Sequence, residues 1–216
     1  MEDYMNKKTA LFSEIVFYGA IWGLLEATLG YLLHWLPALI AGSVMFPIGA
    51  FIIVRVSLKN KSQWAGIFVA LIAAGIKAFD FFLPLPPQGP IKIINPMLCI
   101  VLEACLVVAV LPVLNKNRTI TNLLMLPAAS TAWRVLFIAI MFLINGTAPK
   151  QIQTWDAALS FFVYNNLVSG VIATGLYYIN LLLVGKWDWK WSKKPIFASL
   201  TLVLSIAVSL LVSYYL

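Results

Sequence analysis

Runs of about 20 apolar residues, the length of helix that crosses ~30 Å of hydrocarbon, recur along almost the whole chain and determine the solvent in which it folds. A hydropathy reading places spans at about 12–35, 37–57, 63–84, 93–114, 119–144, 156–184 and 195–216. Inside lipid every backbone N–H and C=O must be paired within the protein, which restricts spanning segments to helices or closed barrels. Barrel strands alternate apolar and polar residues in segments of roughly 10, and these runs do not alternate. The expectation is an all-α polytopic membrane bundle of six to seven transmembrane helices, a single domain over residues 1–216 with short connections. Composition agrees: 62% of residues are hydrophobic and 11% charged, too few polar side chains to coat a soluble globule. The opening "MEDYMNKKTALF" has two lysines and no small-residue cleavage site, so the first span reads as retained.

The net charge of +7 is distributed by side. With the N-terminus in the cytoplasm, the inner segments hold Lys7, Lys8, Arg55, Lys59, Lys61, Lys116, Arg118, Lys186, Lys190, Lys193 and Lys194, and the outer loops only Lys92 and Lys150. That eleven-to-two split is the positive-inside pattern of a cell (plasma) membrane protein with a cytoplasmic N-terminus and an external C-terminus. The basic character thus reports topology and anionic lipid, not nucleic acid. In "GKWDWKWSKK", Trp187, Trp189 and Trp191 alternate with lysines. This reads as an interfacial anchor, with a partner-docking surface as the alternative.

Lys77 and Arg134 fall inside spans, as do Glu26, Glu103 and Asp80. An ionised group alone in hydrocarbon is costly, so these five need partners or water. Helical spacing puts Gly19, Gly23, Glu26, Gly30 and His34 on one stripe, and Gly66, Ala70, Ala73, Lys77 and Asp80 on another. Span six aligns Asn166, Gly170, Ala173, Tyr177 and Asn180, with Asn165 beside them. Span five groups Pro127, Ser130, Thr131 and Arg134. The expected site is therefore an outward-leaning chamber of Glu26, Lys77, Asp80, Glu103, Arg134, Asn165, Asn166 and His34. In it Glu26 meets Lys77 or Arg134, two acids satisfy two bases, and Asp80, Asn165, Asn166 and His34 are left for a solute. The competing reading is a set of ion pairs that merely locks the bundle. Trp22, Tyr31, Phe81, Phe82 and Tyr164 are the expected aromatic lining. The last span, with Ser205, Ser209 and Ser213, reads as peripheral. Lys59 reads as a loop cation, less sensitive to methionine than Lys77.

"LLEA" at 24–27 recurs as "VLEA" at 101–104, and "MFPIGAFIIVRV" at 45–56 has a counterpart in "MLPAASTAWRVL" at 125–136. Three spans separate the copies, which is the spacing of an inverted repeat, 12–84 and 93–184, plus an extra helix at 195–216. Chance matches in apolar sequence are the alternative. Asn95-Pro96, closing the proline-rich loop 84–96, reads as an N-cap followed by a first-turn proline, with its helix dipole aimed at the outer mouth.

The chain has one histidine, no hydrolase elbow and no Walker sequence, so no catalytic residue, metal site or cofactor is expected. Cys99 and Cys105 read as packing residues. A carboxylate pair keeps open an intramembrane enzyme acting on a lipid or prenyl diphosphate. The first expectation is transport: a bundle that binds a small, polar, vitamin-like solute.

A small, basic, nearly all-membrane chain with an outward-leaning polar pocket and the small-residue stripe Gly19, Gly23 and Ala27 resembles the substrate-binding S component of energy-coupling factor transporters. The resemblance spans roughly residues 12–184 at the level of architecture. It implies that Gly19, Gly23 and Ala27 form a helix-docking face for a transmembrane coupling subunit, with ATPase subunits supplying energy. A stand-alone ion-coupled secondary transporter is the second reading.

Overall fold

The computed structural model describes residues 2–33, 41–85, 89–114, 119–183, 186 and 189–215, and the regular structure among them is helical throughout. Among the described residues seven helices are long and apolar enough to cross a membrane, as the hydropathy runs require. We label them α1 (Glu2–Leu33), α2 (Ala41–Asn60), α3 (Gln63–Ala78, continued by a 3-10 turn Phe79–Phe82), α4 (Ile91–Val110), α5 (Thr119–Asn145), α6 (Trp155–Leu183) and α7 (Pro195–Tyr215). The chain is thus an all-α multi-pass bundle.

α2 is the most enclosed helix and packs on α1, α3, α4 and α6. Around it α1, α3, α4, α5 and α6 form an arc in which each touches the next, and α7 lies outside α1. α1 packs on α3, whereas α4 makes no comparable contact with α6.

Small residues set the close crossings, because apolar side chains gain little from meeting one another in lipid and contact area must come from backbone approach. A Cβ at Gly49 would lie 2.5 Å from the Trp22 ring, and one at Gly170 would lie 2.5 Å from Pro127 Cγ and 2.8 Å from its Cα. Gly170→Ala should therefore force α5 and α6 apart and lower stability by about 1–3 kcal/mol. Gly175→Ala, where nothing stands within 4 Å, should be neutral. Thermal unfolding of the two variants in detergent checks this.

Two local expectations change. The helix behind the proline-rich loop starts at Ile91, after Gly89 at φ 72° and Pro90, so Pro96 lies inside α4 and Asn95 is not its cap. The positive backbone angle at Gly89 turns the chain into the helix earlier than Asn95-Pro96 does. α1 begins well before the apolar run, since "EDYMNKK" lengthens the same helix to 32 residues, about 48 Å.

Candidate functional site

Arg134 is the innermost cation, 1% exposed at the middle of α5. Its Nη1 donates to the Ser130 carbonyl one turn back at 2.9 Å, to Ser130 Oγ, and to Asn166 Oδ1 on α6 at 3.3 Å. Asn166 Nδ2 donates in turn to Thr131 Oγ1 at 2.6 Å. The guanidinium lies 4.8 Å from the Trp133 ring centre and 5.5 Å from that of Phe161, the range of cation–π attraction. Phe161 and Asn166 stand five residues apart, roughly 140° around an ideal α-helix. A π-turn at Ser160–Tyr164 closes that angle and turns both toward Arg134. The buried Arg134 Nε and Trp133 Nε1 have no acceptor among the described residues.

Glu103 on α4 is buried and lies within electrostatic range of both Arg134 and Glu26. It makes no ion pair within 4 Å and takes no hydrogen bond from a described residue. Glu26 on α1 is half-buried, lies within electrostatic range of Lys77, and likewise takes no hydrogen bond or ion pair from a described residue. The missing Cβ of Gly30, one turn on, leaves its space beside the Glu26 carboxylate. Cys99, set aside in the sequence as a packing residue, is half-buried one turn before Glu103, within range of Glu26, Glu103 and Arg134. Its spacing of four from Glu103 was the available signal.

The pairing expected from the sequence is reversed. Lys77 binds Asp80, three residues on, at 2.5 Å, and not Glu26. Asp80, counted as spare, is buried and also accepts from Ser209 Oγ at 3.2 Å and Ser213 Oγ at 2.7 Å. The 3-10 turn after α3 carries Asp80 across to α7, so the near neighbour in sequence wins over the distant Glu26. Edge helix though it is, α7 turns its serine stripe inward: Ser205 and Ser209 are fully buried. It is peripheral in position but not in polar bonding. Lys77, Asp80, Ser209 and Ser213 form a satisfied latch, apart from the open carboxylates.

Other expected members also move. Asn165 donates to Ser160 Oγ at 3.3 Å within its own helix and does not join Asn166 on Arg134. Phe81, Phe82 and Tyr164 are exposed on the outside of the bundle, and Trp22 is packed on Gly49. The aromatic wall comes instead from Trp133, Phe161 and Phe46. His34 lies outside the described residues. Gly19 and Gly23 are covered within the chain, where a Cβ would lie 2.7 Å from Ile72 and 2.6 Å from Ile76 of α3, and Ala27 is buried. The small stripe is therefore not a free docking face; the packing need of α3 claims it.

A second charged cluster, unforeseen in the sequence, sits at the N-terminal side of the bundle. Glu14, 1% exposed, is paired with Lys59 and accepts from Asn60 Nδ2 at 3.1 Å and from Ser192 Oγ at 3.3 Å. Tyr18 lies beside it with Arg55, which is buried within α2 and is not a surface cation. Lys59 is thus a partner of a buried acid and not a loop charge. No family model, curated protein or solved structure matches the chain.

Proposed function

We propose that the chain is a membrane transport protein that binds a small polar organic solute at Glu26, Glu103 and Arg134. One observation carries this reading: two carboxylates within the spanning helices take no hydrogen bond from described residues, while Asp80 takes a full set. In either protonation state such carboxyls have donors or acceptors to fill, and a spanning segment offers no bulk water to fill them. A solute with a cationic or donor-rich group for the carboxylates and an acceptor for Arg134 Nε supplies what is missing. A partly planar, vitamin-like molecule would bring a ring edge or face to Trp133 and Phe161.

The N-terminus is assigned to the cytoplasm of a plasma-membrane protein and the C-terminus to the outside. The support is the side-by-side contrast of Lys7, Lys8, Lys61, Lys186, Lys190, Lys193 and Lys194 with Lys92 and Lys150. Energy comes either from a coupling subunit with ATPase subunits, in the S-component reading, or from a coupled ion. The first needs a docking face other than Gly19 and Gly23. Their coverage by α3 favours a carrier that works alone.

Ligand-dependent thermal shift of the purified chain across a panel of vitamins and related zwitterions identifies the solute. Glu26→Gln and Glu103→Gln should each weaken its affinity by roughly 10- to 100-fold and leave the solute-free melting temperature unchanged. Unaltered affinity in both variants would sink the proposal. Saturable uptake by proteoliposomes of the chain alone separates a carrier from a partnered subunit, and turnover of a lipid or prenyl diphosphate would point to an enzyme instead.

A further inference from the structure

We propose that one anionic phospholipid of the leaflet on the N-terminal side occupies a defined cleft between α1 and the segment that precedes α7. The cleft has a volume of about 600 Å³ and is lined by Phe17, Trp189, Lys190 and Trp191. Three aromatic faces and a single cation match a molecule with an acyl chain at one end and a phosphate at the other.

Its walls are fixed in place. The 3-10 turn Lys190–Lys193 is held down by Ser192, fully buried, whose one hydroxyl proton is shared between the Trp189 carbonyl at 2.6 Å and Glu14 on α1 at 3.3 Å. Trp189 meets Phe17 edge to face at 5.7 Å, and Trp191 stacks on Phe197 at 5.3 Å. The Ser192–Glu14 bond thus holds the aromatic-lined cleft open, where tryptophans packed only on one another would close it.

Charge selects the occupant. Lys190 is exposed and makes no ion pair with a described residue, and Lys186, Lys193 and Lys194 are exposed nearby in sequence. The stretch 185–194 holds four lysines against one acid, Asp188, which lies outside the described residues. The buried Glu14 beneath is already matched by Lys59, so its charge does not answer Lys190. Basic residues at a membrane face attract anionic headgroups, and tryptophans settle at that depth. A bilayer supplies the ligand at high local concentration, whereas a soluble phosphate offers nothing for three aromatic walls.

The test uses the full chain in detergent, titrated with phosphatidylglycerol or phosphatidylcholine and followed by native mass spectrometry and melting temperature. One phosphatidylglycerol should be retained per chain and should raise the melting temperature, with phosphatidylcholine bound more weakly. Lys190→Glu should lower phosphatidylglycerol affinity roughly tenfold, whereas Lys150→Glu, on the opposite side, should not. Equal affinity for the two lipids, or Lys190→Glu binding like the parent, would overturn the proposal. Glycerol 3-phosphate stabilising as well as the lipid would show that the site reads a soluble headgroup alone, and would overturn it too.

Discussion

Lys59→Met should lower the stability of the folded chain by about 3–5 kcal/mol, and adding Glu14→Gln should restore most of the loss. Glu14 is 1% exposed and Lys59 is its only cationic partner in direct contact among the described residues. Removing Lys59 leaves a buried carboxylate held by Asn60 and Ser192, two neutral donors. Glutamine at 14 keeps the volume and an acceptor for those donors, but no charge to compensate. Lys77→Met should cost less than Lys59→Met, because one of the two donors left to Asp80 is the exposed Ser213, whereas Glu14 is closed over by the fully buried Ser192. That order inverts the one expected from the sequence. Denaturant unfolding of Lys59→Met, Lys77→Met and the double variant measures it, with Lys61→Met as the exposed control. If Lys59→Met unfolds at the same denaturant concentration as Lys61→Met, the Glu14 cluster does not hold the bundle together.

Legibility in the sequence followed the physics of each signal. Spans were readable because hydrocarbon demands about 20 apolar residues wherever a helix crosses, and α5, read at 119–144, is Thr119–Asn145. Which helix face turns inward was also readable: the α6 stripe of Asn166, Gly170, Ala173, Tyr177 and Asn180 is buried throughout. Partner choice was not. Helical periodicity gives angles within one helix and says nothing of which neighbour stands opposite, so Gly19 and Gly23 fitted α3 as well as a foreign subunit. Lys77 went to Asp80 because a 3-10 turn, invisible in an apolar run, brings i and i+3 together. The π-turn that carries Phe161 to Arg134 was hidden for the same reason: one extra residue per turn changes facing without changing composition. Glu14 escaped notice because the apolar run begins near it, and a carboxylate at the end of a run looks solvated until a following segment, here Lys190–Lys193, folds over it.

Arg134→Met should reduce solute affinity by roughly 30- to 1000-fold while leaving the solute-free protein as stable as the parent or more so. The two halves of this expectation have separate causes. Arg134 makes no ion pair within 4 Å among the described residues, so its removal strands no directly paired acid, and an apolar chain of similar length avoids the cost of holding a guanidinium in a buried site. Thr131 still receives the Asn166 amide, and Ser130 can return to its own helix. Binding is different, because the unpaired Nε and the fork of donors exist in one geometry only, fixed by Ser130, Asn166 and the rings of Trp133 and Phe161. Arg134→Lys tests that geometry. An ammonium keeps the charge but cannot stack flat on the rings and reach two acceptors in one plane, so it should lose most of the affinity as well. Affinity and melting temperature measured on the same two variants separate a binding residue from a lock. If Arg134→Met melts far below the parent while its folded fraction binds solute unchanged, Arg134 serves the bundle alone and the solute meets other side chains.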